Sequence, residues 1–254
     1  MSTIARPRPV ALITGGAAGL GLACAERWVS QGGAVVLADR AAEPLRGAIA
    51  RLGARVARGV VCDVTDTDSI DAAVASVRAV EARLDTVINS AGIARPEASD
   101  RISDSAFSAL LDIHVTGTMR VCRAAYPALR DTRGNIVNVA SVAAFAGMPG
   151  RAAYTAAKAA VTGLTRTLAV EWAASGVRVN AIAPGYVRTA LTDQLIERGE
   201  LNPAPILART PQGRFAEPHE IAAAVQFLAS PDASFVTGHT LLADGGLTVD
   251  GDWY

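Results

Sequence analysis

Tyr154 and Lys158 stand four residues apart in AAYTAAKAAV (152–161), a stretch otherwise built of alanine with one threonine and one valine. On a helix that spacing places both side chains on one face, a turn apart. A phenol with an ordinary pKa near ~10 is a poor base at neutral pH. An ammonium about 5 Å away, at an effective dielectric of ~20, favours the phenolate by ~3 kcal/mol and brings that pKa down by ~2. Lys158 would then make Tyr154 a usable acid–base group. The plainer alternative is a half-buried tyrosine with a lysine snorkelling past it, and the rest of the chain has to decide.

A second feature is the turn TGGAAGLG (14–21). Gly15, Gly19 and Gly21 permit a tight turn and let a pyrophosphate approach the backbone, while the helix that follows offers free N–H groups and a positive dipole end. The plainer alternative is close helix–strand packing. Asp39 closes the next apolar run, eighteen residues after Gly21, where a carboxylate accepts hydrogen bonds from the adenosine ribose of a dinucleotide. Its charge repels a 2′-phosphate, which favours NAD over NADP. Arg40, next to it, is either a solvated residue or an acceptor of that phosphate.

These residues need elements to position them. Apolar runs at 10–14, 34–39, 57–63, 85–89, 135–141, 177–183 and 239–244 read as strands buried on both faces. Between them, helical patterns cover 19–31, 43–52, 67–82, 103–130, 152–174 and 217–229. Asp66 and Thr67 precede the third helix, and Pro218 suits a first helical turn. The alternation predicts an α/β fold: one domain over 1–254, a Rossmann-like doubly wound sheet of about seven parallel strands with helices on both faces. Residues 185–215, with three prolines and weak periodicity, read as an irregular lid over a substrate.

Composition bounds the function. Half of the 254 residues are hydrophobic and 19% charged, with twenty-four basic side chains against twenty-four acidic ones. That balance leaves no basic field for nucleic acid, and no apolar run approaches the ~20 residues needed to span a bilayer. Cys24, Cys62 and Cys122 lack ligand spacing and read as reduced core thiols, consistent with a cytoplasmic protein and no metal. Arg6 and Arg8 before VALITGGAAGLGLACA mimic a secretion signal, but four glycines interrupt it.

With TGGAAGLG, Asp39 and Y-T-A-A-K in place, the sequence resembles the short-chain dehydrogenase/reductase family from about Pro9 to Leu247. Further matches follow in order: Cys62-Asp63-Val64, Asn89-Ser90-Ala91-Gly92, Asn138-Val139-Ala140-Ser141, Asn180, Pro184-Gly185, Thr189, Thr237-Gly238 and Asp244-Gly245-Gly246. The resemblance implies that Tyr154 moves the alcohol proton, Lys158 also holds the nicotinamide ribose, and Ser141 steadies the substrate oxygen. It further implies that Gly15, Gly19, Leu20, Gly21, Asp39, Arg40, Asp63, Val64, Asn89, Ser90, Ala91, Gly92, Pro184, Gly185, Val187 and Thr189 contact the cofactor. It implies a homotetramer or homodimer built through the 103–130 and 152–174 helices.

Where the family has a catalytic asparagine, LLDIHVTG (110–117) has His114. The family role is assigned to the backbone carbonyl, so activity survives the change; the imidazole either joins the proton relay or is a histidine satisfied by packing. Among the other histidines, His219 reads as solvent-facing and His239 as packed. Trp28 reads as core, and the Trp253-Tyr254 tail as packed on a neighbour or the site rim.

For the substrate, Ser141, Ala143, Met148, Tyr154 and Tyr186 are the candidate contacts, with Phe145 adding apolar surface and Arg95, Glu97 and Arg151 polar contacts. NSAGIAR, PGYVRTALT and ADGGLTV look like bacterial galactitol-type polyol dehydrogenases of the family. The expected function is NAD-dependent interconversion of a secondary alcohol, such as a polyol, and its ketone. A 3-oxoacyl thioester reductase using NADP and a non-catalytic dinucleotide-binding regulator are the alternatives.

Overall fold

The structure is a computed structural model that describes residues 8–199 and 201–251. Seven strands form one parallel sheet: β1 (Val10–Thr14), β2 (Ala34–Asp39), β3 (Ala57–Val61), β4 (Thr86–Asn89), β5 (Asn135–Val139), β6 (Arg178–Pro184) and β7 (Thr240–Ala243). Their order is β3-β2-β1-β4-β5-β6-β7, so the winding reverses between β1 and β4. A crevice opens there at the carboxyl ends of the strands.

Apolar residues on both faces of these strands require two helical layers. One face buries Leu12, Val36, Val87 and Ile136 against Val74 of α3 (Thr67–Glu81), Val121 and Leu129 of α5 (Gly117–Thr132), and Leu168 of α6 (Ala152–Trp172). The other buries Ile13, Leu37 and Ile182 against Trp28 of α1 (Gly19–Ser30), Leu45 of α2 (Ala42–Leu52), and Ile221 and Val225 of α9 (Pro218–Ala229). Full burial of each large aliphatic side chain contributes roughly 1.5–3 kcal/mol. Trp28 is core, as expected, and its Nε1 donates to Pro9 O at 3.3 Å.

The helix expected over 103–130 is interrupted. It is α4 (Asp104–Leu111), a π-turn at Asp112–Thr116, then α5. The π-turn widens the register by one residue and turns His114 inward, where it is 3% exposed. Arg120 Nη1 bonds Asp112 Oδ1 at 2.8 Å and Thr118 Oγ1 donates to His114 O at 2.7 Å, bracing the turn.

The 185–215 segment is more regular than expected, carrying α7 (Ala190–Glu197) and α8 (Ala204–Ala208). Thr189 Oγ1 accepts from Thr192 N at 3.2 Å and caps α7, a start signal masked by the neighbouring prolines. His219 is exposed, as read, but so is His239, which faces solvent ahead of the short edge strand β7 rather than packing. Trp253, Tyr254 and Arg6 lie outside the described residues. Among the described residues, no helix is long and apolar enough to cross a membrane.

Candidate active site

The turn after β1 separates the uses of its glycines. Gly15 has φ +64° and an added Cβ would stand 2.9 Å from Ala91 Cα; at Gly21 it would stand 2.2 Å from Gly15 O. Those two permit close packing of backbone on backbone. Gly19 has φ +54° and nothing within 4 Å of an added Cβ. It leaves open space before α1, whose N-terminus has no side-chain cap and no acid in its first turn. Open space, free N–H groups and a positive dipole end suit a pyrophosphate, so the residues fit a dinucleotide.

A groove beside this turn is lined by Gly15, Asp39, Arg40, Asp63, Val64, Ala91 and Gly92, among others, with a volume near 160 Å³. Asp39 does more than face it. Oδ2 accepts from Ala17 N at 3.2 Å and Oδ1 from Ala41 N at 3.0 Å, tying the glycine turn to the end of β2. Asp63 accepts from Thr65 N and Thr65 Oγ1, which hold its carboxyl below the ordinary range, helped by Arg40. Thr14 does work that the sequence reading missed: its Oγ1 accepts from Ser90 N at 3.2 Å and Ala91 N at 3.3 Å, fixing the far wall.

Asn89 is corrected. Its side chain turns into the core, not toward the groove: Nδ2 donates to Asn138 Oδ1 at 2.9 Å and to Cys122 Sγ at 3.3 Å. Asn138 Nδ2 then donates to Thr165 Oγ1 at 2.9 Å, so a buried polar chain joins β4, β5 and α6. It fixes the register between the strand ends and the helix that carries Tyr154.

Ser141, Tyr154 and Lys158 come together at the end of β5. Ser141 Oγ accepts from Ala143 N at 3.1 Å, which ends the strand and orients the hydroxyl. Lys158 Nζ donates to Val139 O at 2.7 Å and lies 5.5 Å from the Tyr154 ring centroid. Burial brings the Lys158 ammonium down from 10.5 to about 8. The Tyr154 phenol is pushed up by burial, against lowering by the Ser141 hydroxyl and the Arg151 charge. The Lys158 ammonium, 5.5 Å from the ring centroid, is placed to favour the phenolate against that desolvation.

His114 packs edge-on against Tyr154, with ring centroids 5.5 Å apart at 88°. Its Nε2 lies 2.7 Å from Ile93 O and 3.3 Å from Ile93 N; the shorter contact assigns the ring proton to Nε2, donating to the carbonyl. Nδ1 is buried with no hydrogen-bond partner. Burial, then the Lys158 charge, brings the imidazole down from 6.5 to about 4, so it is neutral at physiological pH.

Above these residues lies a cavity of about 690 Å³. Ser141, Met148, Tyr154 and Tyr186 line it, and Leu20, Pro184, Gly185 and Val187 form part of the same wall. Thr192, Leu195 and Leu201 of the 185–215 segment also line it. Ala143 does not: it is 1% exposed and sits behind Ser141. Phe145, 51% exposed, points to solvent outside the cavity walls. Cys24, Cys62 and Cys122 are free and buried, and burial raises each thiol, so none is an activated nucleophile. Among the described residues no cluster of His, Cys, Asp or Glu is placed to hold a metal ion.

The arrangement can move a proton at an alcohol oxygen beside a dinucleotide groove. Comparison with known proteins agrees. The family described as enoyl-(acyl carrier protein) reductase matches residues 15–248. Galactitol 2-dehydrogenase (L-tagatose-forming) of Cereibacter sphaeroides is 44% identical over 242 residues, 94% of each chain. A 3-oxoacyl-[acyl-carrier-protein] reductase of Thermotoga maritima is 36% identical over 248 residues, 94% of this chain and 98% of that one. The crystal structure of an actinorhodin polyketide ketoreductase with NADPH superposes with a TM-score of 0.89 at 34% identity, covering 95% of this chain and 97% of that one.

Proposed function

The chain belongs to the short-chain dehydrogenase/reductase family, and from that premise we propose that it is an NAD-dependent oxidoreductase interconverting a secondary alcohol of polyol type and its ketone. The observation that carries the reading is that Ser141 and Tyr154 share one cavity wall with Leu20, which follows the open space at Gly19, while Lys158 is buried 5.5 Å from the Tyr154 ring centroid. The 44% identity to a galactitol dehydrogenase supports the substrate class, and the Asp39 carboxylate in the groove supports NAD.

Ser141 donates to the substrate oxygen and holds it against Tyr154. Tyr154 takes the alcohol proton, and Ser141 and Arg151 favour the phenolate that does so. Lys158, anchored on Val139 O, keeps N–H donors for the cofactor ribose. His114, neutral, pins Ile93 and so holds the Ser90–Gly92 wall in place. A bound nicotinamide supplies the acceptor for the hydride and a positive charge near the phenol. Thr192, Leu195 and Leu201 act as a lid that excludes water. Self-association through the α4–α6 side belongs to the same reading, supported by Val170 of α6, which is 80% exposed.

The test is a panel of polyols, other secondary alcohols, ketones and 3-oxoacyl thioesters, each run with NAD and NADP and followed by nicotinamide absorbance. Tyr154→Phe is expected to lose at least about a hundredfold in turnover while still binding NAD. Equal turnover in that variant, or activity confined to thioesters with NADP, would sink the reading.

A further inference from the structure

The wall of the reaction cavity carries more charge than a neutral alcohol needs. Arg95, Glu97 and Arg151 line it beside Ser141 and Tyr154, two guanidiniums against one carboxylate. Glu97 N donates to Gly150 O at 2.9 Å, which clips the loop bearing Arg95 and Glu97 to the turn entering α6. Arg151 holds the N-cap position of α6, three residues before Tyr154, and both line the cavity. The Arg151 charge reaches the phenol.

Among the described residues, neither Arg95 nor Arg151 has an ion-pair partner. Arg58, Arg83 and Arg120, by contrast, are each paired at 2.8 Å or less. An unpaired arginine in open solvent is ordinary. Arg151 is half-buried in the cavity wall, so a substrate seated against it displaces water and its guanidinium then needs an acceptor, while Arg95 stands at the exposed rim.

We propose that the secondary alcohol bound here carries an oxyanion, a carboxylate or a phosphate ester, received by the Arg151 guanidinium with Arg95 as the second donor. The proposal rests on the dehydrogenase reading above and narrows its substrate class. Planar guanidinium forks match both oxyanions through paired N–H donors. Arg151 and Tyr154, three residues apart in the chain, line the same cavity, so one substrate can meet both. Glu97 offsets one of the two charges and leaves the wall net positive.

Initial rates with NAD on galactitol, galactonate and galactitol phosphate test this directly. At least one anionic substrate is expected to exceed galactitol about tenfold in kcat/KM, and whichever does so identifies the oxyanion. In Arg151→Met that anionic-to-neutral ratio falls about tenfold, and in Arg151→Lys, which keeps the charge but loses the fork, it falls less. Calorimetric titration of galactonate and galactitol phosphate into Tyr154→Phe with NAD reads binding without turnover, and Arg151→Met in that background weakens it. Equal rates on all three substrates overturn the oxyanion proposal and leave the dehydrogenase reading standing. A folded, NAD-binding chain with no Tyr154-dependent turnover on any of them or on the wider panel overturns both.

Discussion

The Nδ1 atom of His114 is a buried lone pair without a partner, and its ring stands edge-on to Tyr154 at 5.5 Å. A histidine so placed must remain neutral, because protonation would set a second cation beside Lys158 in a dry pocket. The imidazole therefore acts at neutral pH as a fixed wedge whose one N–H holds Ile93 O.

Stability should record that neutrality. The folded pKa of about 4 lies below the ordinary 6.5, so between those values the unfolded chain binds more protons. The contribution is present above pH 6.5 and lost as pH falls toward 4, amounting to about 3 kcal/mol. Denaturant titrations of wild type and His114→Asn across that window should converge toward low pH. Parallel curves would show that His114 titrates normally. Turnover in His114→Asn should stay within about tenfold of wild type, since the ring is a positioning group.

Gly92 and His114 are a matched pair. A Cβ at Gly92 would stand 2.3 Å from His114 Cε1, although the backbone there has no left-handed strain. Gly92→Ala should destabilise by about 1–3 kcal/mol by pushing the imidazole against Tyr154. Adding His114→Ala removes the ring and should recover most of the loss. Thermal melts of the two single variants and the double would show it, and simple additivity would refute the coupling.

How much of this site was legible in the sequence depended on the kind of signal. Strands β1 to β6 announced themselves through runs holding Val or Ile, β7 through Leu241 and Leu242, and Tyr154 with Lys158 through helical spacing. The π-turn left no mark, because one extra residue in a helix shifts the apolar pattern too little to separate it from ordinary scatter. Asn89 entered through its place in Asn89-Ser90-Ala91-Gly92, and that motif does not say which way its side chain turns; only Asn138 and Cys122 behind it reveal an internal partner. What opposes Lys158 at Tyr154 is hidden for a different reason. Charge can be read from a sequence, but the desolvation that opposes it depends on burial, which is tertiary.

Lys158 should stabilise activity at the expense of the fold. Its ammonium is buried with one hydrogen bond, and burial lowers it from 10.5 to about 8. Between those values the unfolded chain binds the extra proton, so the burden is full below pH 8 and vanishes above 10.5. Lys158→Met should raise stability at neutral pH by about 2–3 kcal/mol, less at pH near 10, while abolishing turnover. Urea unfolding at both pH values would decide it; a neutral-pH loss of stability would mean that the Val139 carbonyl needs its donor more than the core needs relief.

Asp39 carries two separable jobs, and two substitutions separate them. Its carboxylate accepts from Ala17 N and Ala41 N while facing the groove. Asp39→Asn keeps the shape and removes the charge; its amide can accept from one of those N–H groups but must turn a donor toward the other. The charge effect should shift the NADP-to-NAD ratio of dissociation constants about tenfold toward NADP, with Arg40 free to meet the extra phosphate. Asp39→Ala loses the charge and both hydrogen bonds, so the glycine turn loosens: both cofactors should weaken, and stability should fall by about 1–3 kcal/mol. Calorimetric titration of NAD and NADP into both variants distinguishes the two jobs. If Asn leaves the ratio where wild type has it, the carboxylate is a clamp on the glycine turn and takes no part in choosing the cofactor.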